Sequence, residues 1–249
     1  MMDSLSKMTA LVVGGSGGIG KSISEHLAGE CGRLVVHGGH GSPAFDEFAR
    51  ALREKSGGRT EIETLVQDFG TGFCGIGSSE IARKAAESDI LVVCYGPFLQ
   101  KKLDEMDAGD WIKAALHDYA LPGILLSAAL PKMVARKFGR ILLFGGTGTA
   151  HRTEFFTNAA YAGAKTGVGT IVESTAASYA RFGITCNAIL PGFTKTQYTE
   201  KIDAVLDAKM PLGRQISADS VADAALFLLK NPDANGVLLR LDRGWSPAF

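Results

Sequence analysis

Long apolar runs are scarce in this 249-residue chain, and neither sign of charge predominates. No run approaches the roughly 20 residues that a helix needs to cross a bilayer, so a membrane protein is not expected. The 26 lysines and arginines balance 26 acidic residues, and no arginine-rich face predicts contact with nucleic acid. Residues 1–7 lack the apolar core of a signal peptide. We therefore expect a soluble cytoplasmic protein.

Cysteine is also scarce. The four cysteines, Cys31, Cys74, Cys94 and Cys186, are far apart and form no C-x-x-C motif. Such spacing disfavours a zinc site and, in a reducing compartment, a disulfide framework. We expect small buried thiols and no metal centre.

The chain does have a glycine cluster directly behind a short apolar segment. Residues 8–13 are typical of a buried strand, residues 14–20 contain five glycines, and residues 21–28 continue with helical spacing. Gly18 and Gly20 leave room for backbone N–H groups to approach an anion, and the positive end of a helix favours phosphate. The spacing Gly14-x-x-x-Gly18-x-Gly20 differs from the commoner G-x-G-x-x-G fingerprint but uses the same mechanics. Alone, it is equally compatible with a plain strand–helix turn, because glycine is common in tight turns.

Apolar β-branched runs alternate with helical patterns almost to the end of the chain. Strands are expected at 8–13, 33–37, 61–67, 89–94, 139–144, 184–190 and 236–241, and helices at 21–28, 43–55, 80–87, 110–136, 158–181, 197–208 and 218–230. A glycine-rich loop is expected at 70–77. Such alternation implies an α/β fold, a doubly wound parallel sheet of about seven strands with helices on both faces. No linker divides residues 1–249, so we expect one domain with a ligand cleft at the carboxyl ends of the strands.

A second pattern, Tyr161-x-x-x-Lys165, lies in the predicted helix 158–181. Residues four apart share a helix face, so the phenol and the ammonium are neighbours. A free phenol has a pKa of about 10, and a nearby ammonium lowers that pKa toward neutral pH. Such a phenol suits proton donation to a carbonyl oxygen during hydride transfer. Because Y-x-x-x-K also occurs by chance, a surface pair is the alternative.

A third signal, Pro191-Gly192 followed by Thr196, comes directly after the predicted strand 184–190. Together these motifs resemble the short-chain dehydrogenase/reductase family over nearly the whole chain. The segments 210–214 and 241–244 look most like the 3-oxoacyl-thioester reductase branch. The remaining matches are Asp68 after the third strand, Trp111 at the start of the long helix, and Gly139-Arg140-Ile141.

The resemblance implies a Rossmann-type NAD(P)(H)-dependent oxidoreductase that transfers a hydride between nicotinamide and a ketone or secondary alcohol, such as a 3-oxoacyl thioester. Tyr161 would be the proton donor, while Lys165 would lower its pKa and bind the nicotinamide ribose. Asp68 would face the adenine amino group, unless it is only a turn residue at a strand end; Thr196 also suits a helix N-cap. The implied cofactor-binding residues are Gly14, Ser16, Gly18, Ile19, Gly20, Asp68, Gly96, Tyr161, Lys165, Pro191, Gly192, Thr194 and Thr196.

The serine that in the family follows the fifth strand and hydrogen-bonds the substrate carbonyl is absent. Counting from the start of that strand places its slot at Gly146, whereas counting back from Tyr161 places it at Gly148. Thr147 or Thr149 could supply the hydroxyl, with Thr147 favoured because it follows the first slot. Alternatively, both threonines only shape a glycine-rich loop. The loss of one such donor typically costs ~10²–10³ in rate.

The family asparagine of the long helix corresponds to Asp118, between Trp111 and Pro122. In the family its main-chain carbonyl holds a water that feeds protons to the lysine, a role that survives substitution. The Asp118 carboxylate, however, could add negative charge near Lys165. The family sequence Asn-Asn-Ala-Gly is replaced by Val93-Cys94-Tyr95-Gly96. These departures leave a second hypothesis open, a dinucleotide-binding protein without turnover that acts as a regulator or subunit partner.

Cofactor choice depends on the end of the second strand, where an acidic residue favours NAD and an arginine favours NADP. The chain has His37-Gly38-Gly39-His40-Gly41 there, with neither. The absent carboxylate removes the usual repulsion of a 2′-phosphate, so we favour NADP(H). His37 and His40 are the nearest candidate cations, or else ordinary loop histidines.

The substrate is expected to be a small carbonyl compound or alcohol beneath a lid at about 197–215. The lid mixes charged and apolar side chains, which do not identify a particular ligand. The resemblance also implies a homo-oligomer, a tetramer or dimer, built through the two long helices and the last strand. The apolar end, residues 245–249, fits burial at such a contact.

Overall fold

A seven-stranded parallel sheet forms the centre of the computed structural model, which describes residues 4–70, 73–151 and 154–245. Its strands are β1 Thr9–Val13, β2 Arg33–Gly38, β3 Glu61–Val66, β4 Ile90–Val93, β5 Gly139–Phe144, β6 Ile184–Pro191 and β9 Leu238–Leu241. Their spatial order is β3-β2-β1-β4-β5-β6-β9. The predicted doubly wound α/β sheet is confirmed. An unpredicted pair, β7 Thr194–Lys195 and β8 Ile216–Ser217, flanks the lid.

The helices are α1 Gly18–Leu27, α2 Pro43–Ser56, α3 Glu80–Glu87, α4 Ala108–Ala115, α5 Leu121–Arg136, α6 Ala159–Tyr179, α7 Asp203–Lys209 and α8 Ala218–Lys230. The predicted helix 110–136 is divided by a π-helical turn, Leu116–Ala120. The predicted helix 197–208 begins late, because a 3-10 turn, Glu200–Ile202, precedes α7. Part of the predicted loop 70–77 is a 3-10 helix, Phe73–Ser78; residues 71 and 72 lie outside the described residues.

Helices cover the sheet on both faces. Alternate strand residues point to opposite sides, so Val12 and Val92 join one core with α1, α2 and α8, while Leu11 and Leu91 join another with α3, α5 and α6. This double cover explains why the central strands are apolar throughout. Among the described residues, no helix is both long and apolar enough to cross a membrane.

The strand order reverses at β1, whose neighbours are β2 and β4. In such sheets the connections on the two sides of the reversal diverge, leaving a crevice at the carboxyl ends of the strands. His37 joins three of those ends: its Nδ1 accepts a hydrogen bond from the Gly14 N–H at 3.0 Å, and its Nε2 lies 2.8 Å from the Gln67 carbonyl oxygen. Since Nδ1 accepts, Nε2 carries the proton and donates.

Candidate active site

The glycine turn after β1 is shaped by close backbone packing. Gly14 has φ +76°, and a Cβ there would lie 3.1 Å from the Tyr95 amide nitrogen. A Cβ on Gly20 would collide with the carbonyl oxygen of Gly14. The first residue of α1 is Gly18, and its N-cap, Gly17, provides no side-chain cap. The turn therefore starts α1 without a cap from the N-cap side chain, which is the kind of backbone site that binds a pyrophosphate.

Two further predicted cofactor residues border this turn. A Cβ built on Gly38, the last residue of β2, would lie 3.0 Å from the Ser16 hydroxyl oxygen. Ser16 thus stands beside the strand end that sets cofactor choice. Ile19 is partly buried and packs against the core on the α1 face.

The start of the segment predicted as a lid lies against the glycine turn. The Gly18 N–H donates to Oε1 of Gln197 at 3.1 Å. The Tyr198 ring covers Gly17 and Gly18, and a Cβ at Gly17 would collide with the Tyr198 hydroxyl. The sequence placed both residues in a lid but did not predict this contact; the only available signal was the lack of side chains at positions 17 and 18.

The loop after β6 also approaches the turn. A Cβ at Gly192 would lie 2.8 Å from Cβ of Asp242, and the Thr194 hydroxyl donates to the Gly192 carbonyl at 3.0 Å. Thr196 lies beside the glycine turn, with its methyl carbon 3.9 Å from the Cβ position of Gly18. Its hydroxyl accepts from the Tyr198 N–H in a turn rather than at a helix start. This differs from the helix N-cap that Thr196 also suited.

Asp68, predicted to face adenine, is exposed at the end of β3, where its Oδ1 accepts from the Gly70 N–H at 2.8 Å. This contact is the turn role that the sequence left open. Oδ2 has no part in that bond, so the turn is compatible with adenine binding.

His37 is fully buried, and burial lowers its pKa to about 4. It is therefore neutral at physiological pH and is not a cation for a 2′-phosphate. His40 is exposed. Of the two candidate cations, His37 has a structural role as the acceptor for Gly14.

Tyr161 and Lys165 lie on one face of α6, at the carboxyl end of β5. The ammonium of Lys165 is buried and donates to the Phe144 carbonyl at 3.2 Å. Its Nζ lies 5.8 Å from the centroid of the Tyr161 ring. Phe98, which no motif indicated, packs edge-on against Tyr161 with centroids 5.1 Å apart.

Asp118 is also brought into this pocket. Its Oδ1 lies 3.2 Å from Nζ of Lys165. Burial raises the pKa of Asp118 to about 6, although the Lys165 charge opposes the shift. Burial and the Asp118 carboxylate together raise the pKa of Tyr161, the opposite direction to that expected from Lys165 alone.

The two threonine hydroxyls are committed to the loop after β5. Thr147 donates to the Pro191 carbonyl at 2.6 Å, and Thr149 donates to the Gly146 carbonyl at 2.8 Å. These bonds favour the alternative in which both threonines shape the loop. A Cβ at Gly146 would lie 3.3 Å from the Tyr161 ring, whereas Gly148 has φ +83°. Of the two counted positions, Gly146 is therefore the one at which a side chain would face Tyr161.

Hydride transfer to a carbonyl needs a bound nicotinamide dinucleotide and a proton donor in one cleft. Here the glycine cradle and the Tyr161–Lys165 pair open at the same edge of the sheet, one after β1 and the other after β5. Fold and site thus define the class of nicotinamide-dependent oxidoreductases.

Comparisons with known proteins support this class. A family model described as enoyl-(acyl carrier protein) reductase matches residues 14–246. Cis-4-hydroxycyclohexanecarboxylate dehydrogenase of Sinomonas cyclohexanicum is 30% identical over 99% of both chains. The 3-oxoacyl-(acyl-carrier-protein) reductase FabG of Haemophilus influenzae is 29% identical over 88% of this chain and 89% of its own.

A crystal structure of 3-oxoacyl (acyl-carrier-protein) reductase from Agrobacterium tumefaciens C58 with NADP bound superposes with a TM-score of 0.84. It is 25% identical and covers 97% of this chain and 96% of its own. The chain belongs to the short-chain dehydrogenase/reductase family and is an NAD(P)-dependent oxidoreductase. Since these relatives are named as enzymes, the hypothesis of a cofactor-binding protein without turnover gains no support.

Proposed function

We propose that the protein interconverts a ketone and its secondary alcohol, with Tyr161 as the proton donor and a substrate that has an apolar carbon skeleton. The observation that carries this proposal is the Tyr161–Lys165 pair beside the glycine cradle. When bound, the dinucleotide supplies or accepts the hydride. Tyr161 transfers the proton at the carbonyl oxygen, and Lys165 holds the nicotinamide ribose.

The glycine turn fits the dinucleotide because a side chain at Gly20 would close it. We assign the pyrophosphate and ribose to Gly14, Gly18, Ile19 and Gly20, with Ser16 at the adenosine ribose. The nicotinamide side of the cleft is assigned to Gly96, Pro191, Gly192, Thr194 and Thr196. Asp68 retains its proposed contact with adenine.

Two loops supply an apolar wall for the substrate. Phe98 follows β4, packs on Tyr161 and is 60% exposed; Phe156 follows β5 and is 67% exposed. The loops meet where the Gln100 amide nitrogen lies 3.4 Å from the Thr157 hydroxyl oxygen. The exposed Phe98 ring beside the proposed proton donor, with the exposed Phe156 ring on the adjoining loop, suits the carbon skeleton of an acyl thioester or a cyclic ketone.

The test measures the oxidation of NADPH and NADH in the presence of an acetoacetyl thioester or 4-oxocyclohexanecarboxylate. It compares the wild type with Tyr161→Phe. Removal of the proton donor should lower kcat/KM by ~10²–10⁴. The cofactor Kd, measured by fluorescence, should change far less than kcat/KM, because the glycine turn stays intact. Full turnover by the variant would overturn the role of Tyr161, and a matched Tyr179→Phe change at the far end of α6 is the control.

For the cofactor we propose NADP(H) over NAD(H). The support is the absence of a carboxylate at the end of β2 and the Ser16 hydroxyl beside Gly38. Gly39 has no atom within 4 Å of its Cβ position, so Gly39→Asp adds a charge without steric conflict. We expect this change to raise the KM for NADPH about fivefold through repulsion of the 2′-phosphate, with Gly39→Asn nearly neutral. An equal effect of both substitutions would contradict the assignment.

We further propose a single domain over 1–249 with its lid at about 197–215, a cytoplasmic location and a homo-oligomer. The thiols of Cys31, Cys94 and Cys186 are free, which suits a reducing compartment. An open groove lined by Tyr119, Ile124 and Ile171 lies between α5 and α6, where the oligomer contact is expected. Light scattering should give a dimer or tetramer mass. Of the predicted C-terminal contact, residues 246–249 lie outside the described residues.

A further inference from the structure

The π-helical turn Leu116–Ala120 places a carboxylate inside the catalytic pocket. Asp118 is 0% exposed and Lys165 is 6% exposed, and their charged atoms are 3.2 Å apart. Gly96 lies directly against both: a Cβ there would collide with Oδ1 of Asp118 and lie 2.9 Å from Nζ of Lys165. The pair therefore forms in a closed space that exists only because residue 96 has no side chain.

A lysine lowers the pKa of a neighbouring phenol through its positive charge. When a carboxylate lies in contact with that ammonium, the two charges nearly cancel at a third group several ångströms away. The Tyr161 ring is that third group, at 5.8 Å from Nζ. The effect of Lys165 on Tyr161 thus depends on the charge of Asp118.

We propose that Asp118 is a positioning residue, the internal counter-ion of Lys165, and that it keeps Tyr161 in the phenol form through neutral and alkaline pH. The inference rests on the proposed role of Tyr161 as proton donor. A phenol that stays protonated can serve carbonyl reduction over a wide pH range. Alcohol oxidation, which needs the phenolate as base, is correspondingly displaced to higher pH.

The other ionisable groups around the pair leave this arrangement intact. Lys113, from α4, is the second cation that acts on Asp118. Cys94 faces Lys165 from the end of β4, and burial raises its pKa to about 12, so it is a neutral thiol. Tyr95 is also held as a neutral phenol, because burial and the charges of Asp68 and Asp118 raise its pKa. Asp118 is thus the group among these whose charge changes near pH 6.

The direct test is the titration of Tyr161 in the protein without substrate. Tyrosine labelled with ¹³C at Cζ gives one NMR signal per ring, and Tyr161→Phe assigns the signal. In the wild type this signal should stay that of a phenol up to the alkaline limit of folding. In Asp118→Asn the phenolate signal should appear within the accessible range, with a midpoint at least about one pH unit below that limit. Glu173→Gln, which removes a carboxylate about three turns beyond Tyr161 along α6, should leave the curve unchanged.

An unchanged Tyr161 titration in Asp118→Asn would overturn the proposal. Asp118→Ser is the second variant, should the asparagine protein fail to fold, and near-UV circular dichroism checks both. The matching kinetic readout is the alkaline limb of kcat/KM for ketone reduction, which should move to lower pH by the same amount. If the Tyr161 titration shifts in Asp118→Asn but the protein does not turn over the test ketones, the role of Asp118 as counter-ion stands and the proposed reaction is rejected.

Discussion

The proposed cleft has a nucleotide end and a catalytic end, and the two are built in different ways. The nucleotide end consists of backbone: a helix start without a cap from the N-cap side chain, two glycines packed against main-chain atoms, and an N–H anchored by a buried histidine. The catalytic end consists of side chains whose charges act on one another: Tyr161, Lys165 and Asp118. A backbone site tolerates little sequence change, because one added methyl group blocks it. A site made of charges can change its pH behaviour through a single substitution and keep its shape.

The largest effect should come from breaking the nucleotide end with Gly20→Ala. The new methyl group would collide with the Gly14 carbonyl oxygen and force the turn open. We expect cofactor Kd, measured by fluorescence titration, to rise about a hundredfold, since overpacking costs roughly 1–3 kcal/mol. Gly163→Ala is the matched control: its Cβ position on α6 has no neighbour within 4 Å, and alanine should stabilise the helix slightly. If Gly20→Ala and Gly163→Ala bind the cofactor equally well, close backbone packing at Gly20 is not needed for cofactor binding.

A smaller effect on the same end should follow from His37→Leu, which leaves the Gly14 N–H without its acceptor. We expect the free energy of unfolding at pH 7 to fall by about 2 kcal/mol. The pKa of His37 is lowered from 6.5 to about 4 in the folded protein, so its contribution is complete above pH 6.5 and is lost as pH falls toward 4.

Urea unfolding at pH 7 and pH 4.5 measures this effect. The gap in stability between wild type and His37→Leu should narrow at the lower pH, and exposed His40→Leu should track the wild type at both values. If the difference in stability is the same at both pH values, the folded protein binds a proton at His37 as readily as the unfolded chain does, which contradicts the lowered pKa.

A substitution at the catalytic end should raise kcat. Gly146→Ser places a hydroxyl beside the Tyr161 ring, where a small shift of the ring gives it room. A restored donor to the substrate carbonyl should raise kcat about tenfold, less than the ~10²–10³ that such a donor typically supplies, because the ring of Tyr161 must first move. Gly148→Ser, at φ +83°, should instead lower stability without any gain. No gain at position 146 would mean that another group already polarises the carbonyl.

Much of the nucleotide end was predictable from the sequence, because glycine spacing and strand–helix alternation are local properties. The π-helical turn was not predictable, since residues 116–120 have ordinary helical composition and the extra residue is visible only in hydrogen bonding. The roles of Thr147 and His37 also depend on partners 44 and 23 residues away. The predicted direction for the Tyr161 pKa considered only the charge of Lys165. In the fold burial raises this pKa, and so does the carboxylate of Asp118, which the sequence had already placed near Lys165.

The bond between Gln197 and the Gly18 N–H gives cofactor entry a mechanical requirement. A phosphate that takes this donor must first displace the amide oxygen of Gln197, and the lid begins at that residue. For the proposed lid, arrival of the dinucleotide and release of its first residue are therefore coupled through one hydrogen bond. A shortened cofactor without the pyrophosphate would leave that hydrogen bond in place, and we expect it to bind without displacing Gln197.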